Sequence, residues 1–184
     1  MENLKKIVKG CLKNNRQCQS ELYKLFSGKM YGVCLRYAKN SFDAQDTLQD
    51  GFVKVFQNLN KFKWDGSLEG WMRRIFVNVA LDRYRSRFSF MSLEDIENGE
   101  EMSKKDDISV LDSMSEKEIL NLVQQLPDQY RVVFNLYAIE GLSHQEIACM
   151  LNIGESTSRS NLVRARSILK EKIDINAGWV EKAI

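Results

Sequence analysis

The chain has 184 residues, 43% of them hydrophobic and 28% charged, with a formal net charge of +2. That is a globular composition long enough for one ordinary domain or two small ones, and it excludes collagen-like and charge-driven disordered classes. No run approaches 18 apolar residues, and the start, MENLKKIVKG, lacks the apolar stretch of a secretory leader, so a cytoplasmic protein is expected.

Charge is unevenly placed. Residues 1–87 carry 17 basic and 8 acidic side chains, residues 88–115 carry 2 and 8, and residues 116–184 carry 8 and 9. A basic front, an acidic middle and a balanced back point to different partners for different segments. The four cysteines, Cys11, Cys18, Cys34 and Cys149, form no C-x-x-C pair, and His144 is the only histidine. Reduced, mostly buried thiols are expected, and no metal or other cofactor. The single proline, Pro127, favours long helices and an all-α fold.

In chain order, SELYKLFSGKMYGVCLRYA places Leu22, Leu25, Phe26, Met30, Val33, Cys34 and Tyr37 on one helical stripe. SFDAQDTLQDGFVKVFQNL follows, with Ser41 as the expected N-cap and Leu48, Phe52, Val55, Phe56 and Leu59 facing inward. Asp43 and Asp46 suit the positive end of that helix. An Asp65-Gly66 turn leads to Ser67, the expected cap of a third long helix. Its inner side carries Leu68, Trp71, Met72, Ile75, Val79 and Leu81. Three or four helices would form a first bundle, residues 1–87.

Periodicity fails from Phe88 to Asp112, where the chain is acidic and polar. Residues 88–112 are expected to be a flexible linker, a plain solvated loop being the simpler alternative. Helical patterning resumes over 113–175. Ser115-x-x-Glu118 and Ser143-x-x-Glu146 fit capping boxes. Pro127 suits the first turn of one helix and Gly141 its end. A capped helix, a break at Asn152-Ile153-Gly154 and a second helix make a helix-turn-helix pattern. Residues 176–184 are expected to be a tail.

The second helix of that pair, in IGESTSRSNLVRARS, is amphipathic. At about 100° per residue, Leu162, Ala165, Leu169 and Ile173 share one side, opposite Ser156, Ser160, Val163, Arg164 and Ser167. Arg159 and Lys170 flank the outward face. Five basic side chains and one acid between Ser156 and Lys172 suit a helix in a DNA groove. Arginine can bond guanine bidentately, and hydroxyls near a helix start can bond phosphate. A solvated surface helix is the plainer alternative.

The block from Leu126 to Ile173 resembles region four of bacterial sigma factors of the extracytoplasmic-function group. DAQDTLQDGFVKVF resembles the region-two segment that docks on core RNA polymerase, and GSLEGWMRRIFVNVALDRYRSR resembles the segment that recognises the melted promoter. The blocks come in family order, separated by a linker, with no recognisable region one or three. The resemblance implies two small helical domains and a non-catalytic specificity subunit of RNA polymerase. Region two would bind the polymerase clamp and the minus-ten element as single strand. Region four would bind the minus-thirty-five element as duplex, and the acidic linker would enter the polymerase cleft. An anti-sigma factor would be a further partner.

Carried over by position, Asp43, Asp46, Gln49, Asp50 and Phe52 are polymerase-docking candidates. Lys61, Phe62, Lys63, Trp64 and Ser67 fall in the minus-ten loop, with Trp71, Arg73, Arg74, Asn78, Arg83 and Arg85 on the helix after it. Basic residues interleaved with aromatics suit an unstacked base, although Phe62 and Trp64 could instead seal the bundle. Thr157, Arg159, Ser160, Asn161, Val163, Arg164 and Arg166 take the minus-thirty-five positions. The sequence departs from the common pattern at Ser156, Ser158 and Asn161, and Ser158, turned inward, suggests a loosely packed first turn. His144 is expected to be exposed or near phosphate. A helix-turn-helix regulator that does not engage polymerase is the alternative. An enzyme is poorly supported, for want of a nucleophile–base pairing, a metal cluster or a phosphate loop.

Overall fold

A computed structural model describes residues 2–91 and 115–182, all of whose regular structure is helical. The chain divides into two compact units, Met1–Arg83 and Tyr84–Ile184. No helix among the described residues is long and apolar enough to cross a membrane.

The first unit begins with α1 (Glu2–Cys11), a helix beyond those expected from the sequence. Its buried residues are Ile7, Val8 and Cys11, a three-and-four spacing that packs on α2. Asn15 caps α2 (Arg16–Tyr37), its Oδ1 accepting from the Cys18 N–H at 3.1 Å. The expected stripe of α2 is buried except for Leu25, which is 53% exposed. Asn40, not Ser41, caps α3 (Ser41–Asn58), with Oδ1 2.9 Å from the Asp43 nitrogen. Ser41 is the first helical residue instead. Ser67 opens α4 (Leu68–Met91) as expected, its Oγ accepting from the Gly70 N–H at 3.0 Å.

The core of this unit centres on Phe76, fully buried on α4 and absent from the expected stripe. Its ring lies edge-on to Phe52, centroids 5.3 Å apart, and a Cβ at Gly51 would fall inside the Phe76 ring. Glycine at 51 is therefore what lets α3 and α4 approach. Burial raises the Cys11 thiol to about 11 and the Cys34 thiol to about 12, so both stay protonated at neutral pH.

Helix α4 runs four residues into the segment expected to be linker, to Met91. The remaining expected linker residues, 92–112, lie outside the described residues.

The second unit contains α5 (Glu116–Gln124), α6 (Asp128–Phe134), α7 (His144–Leu151) and α8 (Glu155–Lys182). Both expected capping boxes are formed, each carboxylate accepting from the backbone N–H of its serine at 2.8 Å. The Ser115 hydroxyl and then its N–H hold the Glu118 carboxyl below its ordinary range, and the Ser143 N–H and then its hydroxyl do the same for Glu146. Pro127 is the N-cap of α6 rather than its first residue. A π-turn, Asn135–Ile139, follows α6, and Gly141 at φ 72° closes it, with the Leu142 N–H bonded to the Leu136 carbonyl. Helix α8 continues to Lys182, through most of the expected tail.

Leu122, Leu126, Ala165, Leu169 and Ile173 form one buried cluster of this unit, with Tyr130, Phe134 and Ile168 packed against it. Arg131, only 2% exposed, ties the start of α6 to the end of α5. Its Nη1 donates to the Gln124 and Leu126 carbonyls at 3.0 Å each, and its Nη2 to Asp128 Oδ1 at 2.5 Å.

Candidate nucleic-acid interface

Helix α8 meets α7 across a left-handed residue. Asn152 ends α7 at φ 55° and ψ 48°, and the Ser158 N–H closes the first turn of α8 on the Gly154 carbonyl. The inward residues Leu162, Ala165, Leu169 and Ile173 are all buried, as the spacing requires. Thr157, Arg159, Val163 and Arg166 are exposed, and Ser160 and Arg164 are half-buried. Asn161 is placed differently from the expectation. At 8% exposure it is buried, next to the inward residues Leu162 and Ala165.

Each arginine of this face already has a neighbour. The Arg159 guanidinium pairs with Glu155 one turn back, an exposed bond of small energetic weight. Arg164 Nη1 donates to the Tyr130 hydroxyl at 3.0 Å. Arg166 lies over the Tyr137 ring, 5.8 Å from its centroid.

The same Tyr137 ring stacks on His144 at 4.7 Å, and His144 Nδ1 is 3.0 Å from Ser158 Oγ. Two expectations change here. His144, expected to be exposed or near phosphate, is half-buried, and Ser158 is fully buried and hydrogen-bonded rather than loosely packed. Burial, then the nearby Arg159 charge, holds the His144 pKa below its ordinary 6.5.

In the first unit, Phe62 forms an aromatic trio with Trp64 and Trp71, centroids at 4.9 and 5.5 Å. Trp64 is 37% exposed and has φ 64°, a left-handed conformation that costs a bulky side chain about 1–3 kcal/mol. Lys5 of α1 stands 5.6 Å over its ring. Lys61 donates to Asn58 at 2.8 Å, Lys63 is exposed, and Ser67 spends its hydroxyl oxygen on the α4 cap. On α4, Arg74, Asn78 and Arg85 are exposed, whereas Trp71 and Arg73 are half-buried. The loop thus offers aromatic faces and ammonium groups together.

Arg83 is turned toward α3. Its Nη2 lies 2.5 Å and its Nε 3.1 Å from Asp50 Oδ2, with Asp46 at 3.8 Å. Two expected residue sets, the α3 carboxylates of the docking set and an arginine of the minus-ten set, therefore meet. Phe52 also departs from its expected role: 3% exposed between Tyr23, Phe56 and Phe76, its ring holds the core and is not offered to a partner.

What α3 does present is Phe42, 77% exposed, and Val53, 55% exposed. With Asp46 and Gln49 they follow the spacing i, i+4, i+7, i+11, one continuous outward stripe. Phe42 and Val53 are not among the residues expected to dock. Their signal was apolar side chains off the inward stripe.

Among the described residues no three His, Cys, Asp or Glu side chains are grouped to hold a metal.

Comparison with known proteins gives two family matches. Sigma-70 region 2 matches residues 22–88, and Sigma-70, region 4 matches residues 116–169. The chain is 28% identical over 180 residues to the ECF RNA polymerase sigma factor SigW of Bacillus subtilis, covering 92% of this chain and 96% of that one. It is 30% identical over 154 residues to the ECF RNA polymerase sigma factor SigE of Mycolicibacterium smegmatis, covering 82% of this chain and 60% of that one. The fold is similar to that of the sigma factor RpoE of Bartonella quintana, solved with the anti-sigma factor NepR. That match has a TM-score of 0.50 at 18% identity, covering 85% of this chain and 96% of that one.

Proposed function

This chain belongs to the extracytoplasmic-function group of sigma-70 factors, and we propose that its two units divide promoter recognition between them. The protein binds core RNA polymerase, recognises promoter DNA and directs transcription initiation. It works as a non-catalytic specificity subunit in the cytoplasm, with an anti-sigma factor as a further partner.

The observation that carries this reading is the presence of both sigma regions in one chain, in order. A regulator that bypassed polymerase would need only the second. On α3, the outward stripe of Phe42, Asp46, Gln49 and Val53 docks on polymerase, with Arg83 of α4 bracing it through Asp50. Phe52 is left out of the docking set because its ring is in the core.

The loop with Lys61, Phe62, Lys63 and Trp64 takes the minus-ten element as unstacked bases. Aromatic faces stack on any base, while the lysines attract the phosphates. Arg74 and Asn78 extend that surface along α4. On α8, Thr157, Arg159, Ser160, Val163, Arg164 and Arg166 face the minus-thirty-five duplex. Small hydroxyl side chains at the start of α8 let the backbone come near a groove, and the arginines supply charge and base contacts.

Run-off transcription with sigma-free core polymerase from the same source tests the reading. Initiation from specific promoters that depends on this protein is expected. Failure to direct initiation at any promoter in a genomic library would refute it.

A further inference from the structure

We infer that Tyr130 is a positioning residue for Arg164, fixing the guanidinium in the orientation that reads one base pair of the upstream promoter element. The inference rests on the proposed placement of α8 against duplex DNA.

Arg164 lies on the outward face of α8, about 80° from Ser156 by helical projection. A side chain there can swing toward the groove or fold back along the helix. Arginine carries large rotamer freedom, and a bidentate contact with guanine needs its planar fork held in one orientation. Arg164 is half-buried and its Nη1 donates to Tyr130 Oη at 3.0 Å. That bond uses one donor of a five-donor group, so a base edge can still be engaged through the others.

Tyr130 is suited to this role because it cannot move freely. It stands in the first turn of α6 and packs against the buried cluster that includes Ala165, the residue next to Arg164 on α8. The adjacent Arg131 anchors that turn through its bonds to the Gln124 and Leu126 carbonyls and to Asp128. The phenol oxygen is therefore a fixed acceptor supplied by a different helix from the one that enters the groove. A tyrosine hydroxyl with an aromatic ring in the core and a polar tip at its edge is the group that can do this. Phenylalanine would pack equally and hold nothing.

The test uses the full chain in holoenzyme with core polymerase, and promoter fragments selected from a library randomised across the upstream element. Base preference at each position is compared for wild type, Tyr130→Phe, Arg164→Ala and the double variant, together with the melting temperature of each free protein. The expected result is a loss of preference of about fivefold or more at one base pair in Tyr130→Phe. Arg164→Ala should lose preference at the same base pair, and the double variant should match Arg164→Ala. Preferences elsewhere, and the melting temperature of Tyr130→Phe, should stay unchanged.

If Arg164→Ala alters preference at one position and Tyr130→Phe does not, the positioning role is overturned while the α8 reading stands. An effect of Tyr130→Phe that persists in the Arg164→Ala background, or that lowers all positions equally, also overturns it. If Arg164→Ala itself changes no base preference, Arg164 reads no base and the inference fails with that part of the α8 reading.

Discussion

His144 Nδ1 lies 3.0 Å from Ser158 Oγ, so the first residue of α7 is bonded to the first turn of α8. Ser158 is fully buried there, and no solvent can replace the partner. Ser158→Ala should lower stability by about 1 kcal/mol, the usual net worth of such a bond, more if the imidazole nitrogen is left dry. Chemical denaturation of the full chain checks this. An unchanged midpoint would show that the bond contributes nothing.

The same imidazole sets a pH dependence. Its folded pKa lies below the ordinary 6.5, first because of burial and then because of Arg159. As pH falls through 6.5, the unfolded chain takes up the proton before the folded chain does. The stability contribution is therefore complete above 6.5 and declines below it. The capped Glu118 and Glu146 have pKa values lowered from 4.5, so their contributions are lost only at more acid pH. Melting curves between pH 7.5 and pH 5 should show a decline in wild type that His144→Gln largely removes.

Phe42 and Phe52, two aromatics on α3, should behave oppositely. Phe52→Ala should cost about 3–5 kcal/mol, because it empties a buried aromatic site between Tyr23 and Phe76. Phe42→Ala removes a side chain that is 77% exposed and should leave the melting temperature within a degree or two. It should instead weaken binding to core polymerase, measured by titration with labelled protein. Equal effects of both variants on both readouts would contradict the assignment.

Arg131 is the buried charge on which the α5–α6 corner depends. Arg131→Ala removes the guanidinium that Asp128 and two carbonyls share and should cost about 3 kcal/mol. Equilibrium denaturation in urea measures it. A loss below about 0.5 kcal/mol would place the residue among ordinary surface arginines.

Trp64 holds a left-handed backbone with its ring partly open to solvent. Trp64→Ala should weaken holoenzyme binding to a single-stranded minus-ten oligonucleotide by about 1–3 kcal/mol, the range for one lost base stack. Trp64→Gly, which relieves the backbone, should weaken it similarly and raise stability relative to Trp64→Ala. Unchanged oligonucleotide affinity in both would confine Trp64 to sealing the bundle.

Much of this protein was legible from spacing. The inward faces of α2, α3 and α8, both capping boxes and the break at Asn152 follow from periodicity and cap chemistry, because those signals are local. The order of the two blocks, and the family they indicate, was also in the chain. Helix α1 is absent from the sequence expectations, although Ile7, Val8 and Cys11 carry its spacing, and Lys5 on it reaches Trp64 from far away in sequence.

The rest depended on contacts between elements. Phe52 and Asn161 look like site residues by position, yet packing turns both inward. Phe42 and Val53 look like misplaced core residues, yet the bundle leaves them outside. Arg83 is bonded to Asp50 on a neighbouring helix, a partner that its own helix does not announce. Sequence by itself determined which helices form and which stripe of each is apolar, since both are set within a few turns. Only tertiary structure decided which polar side chains find partners. Those bonds join residues 14 to 34 positions apart, as in His144–Ser158, Asp50–Arg83 and Tyr130–Arg164, and no local pattern encodes them.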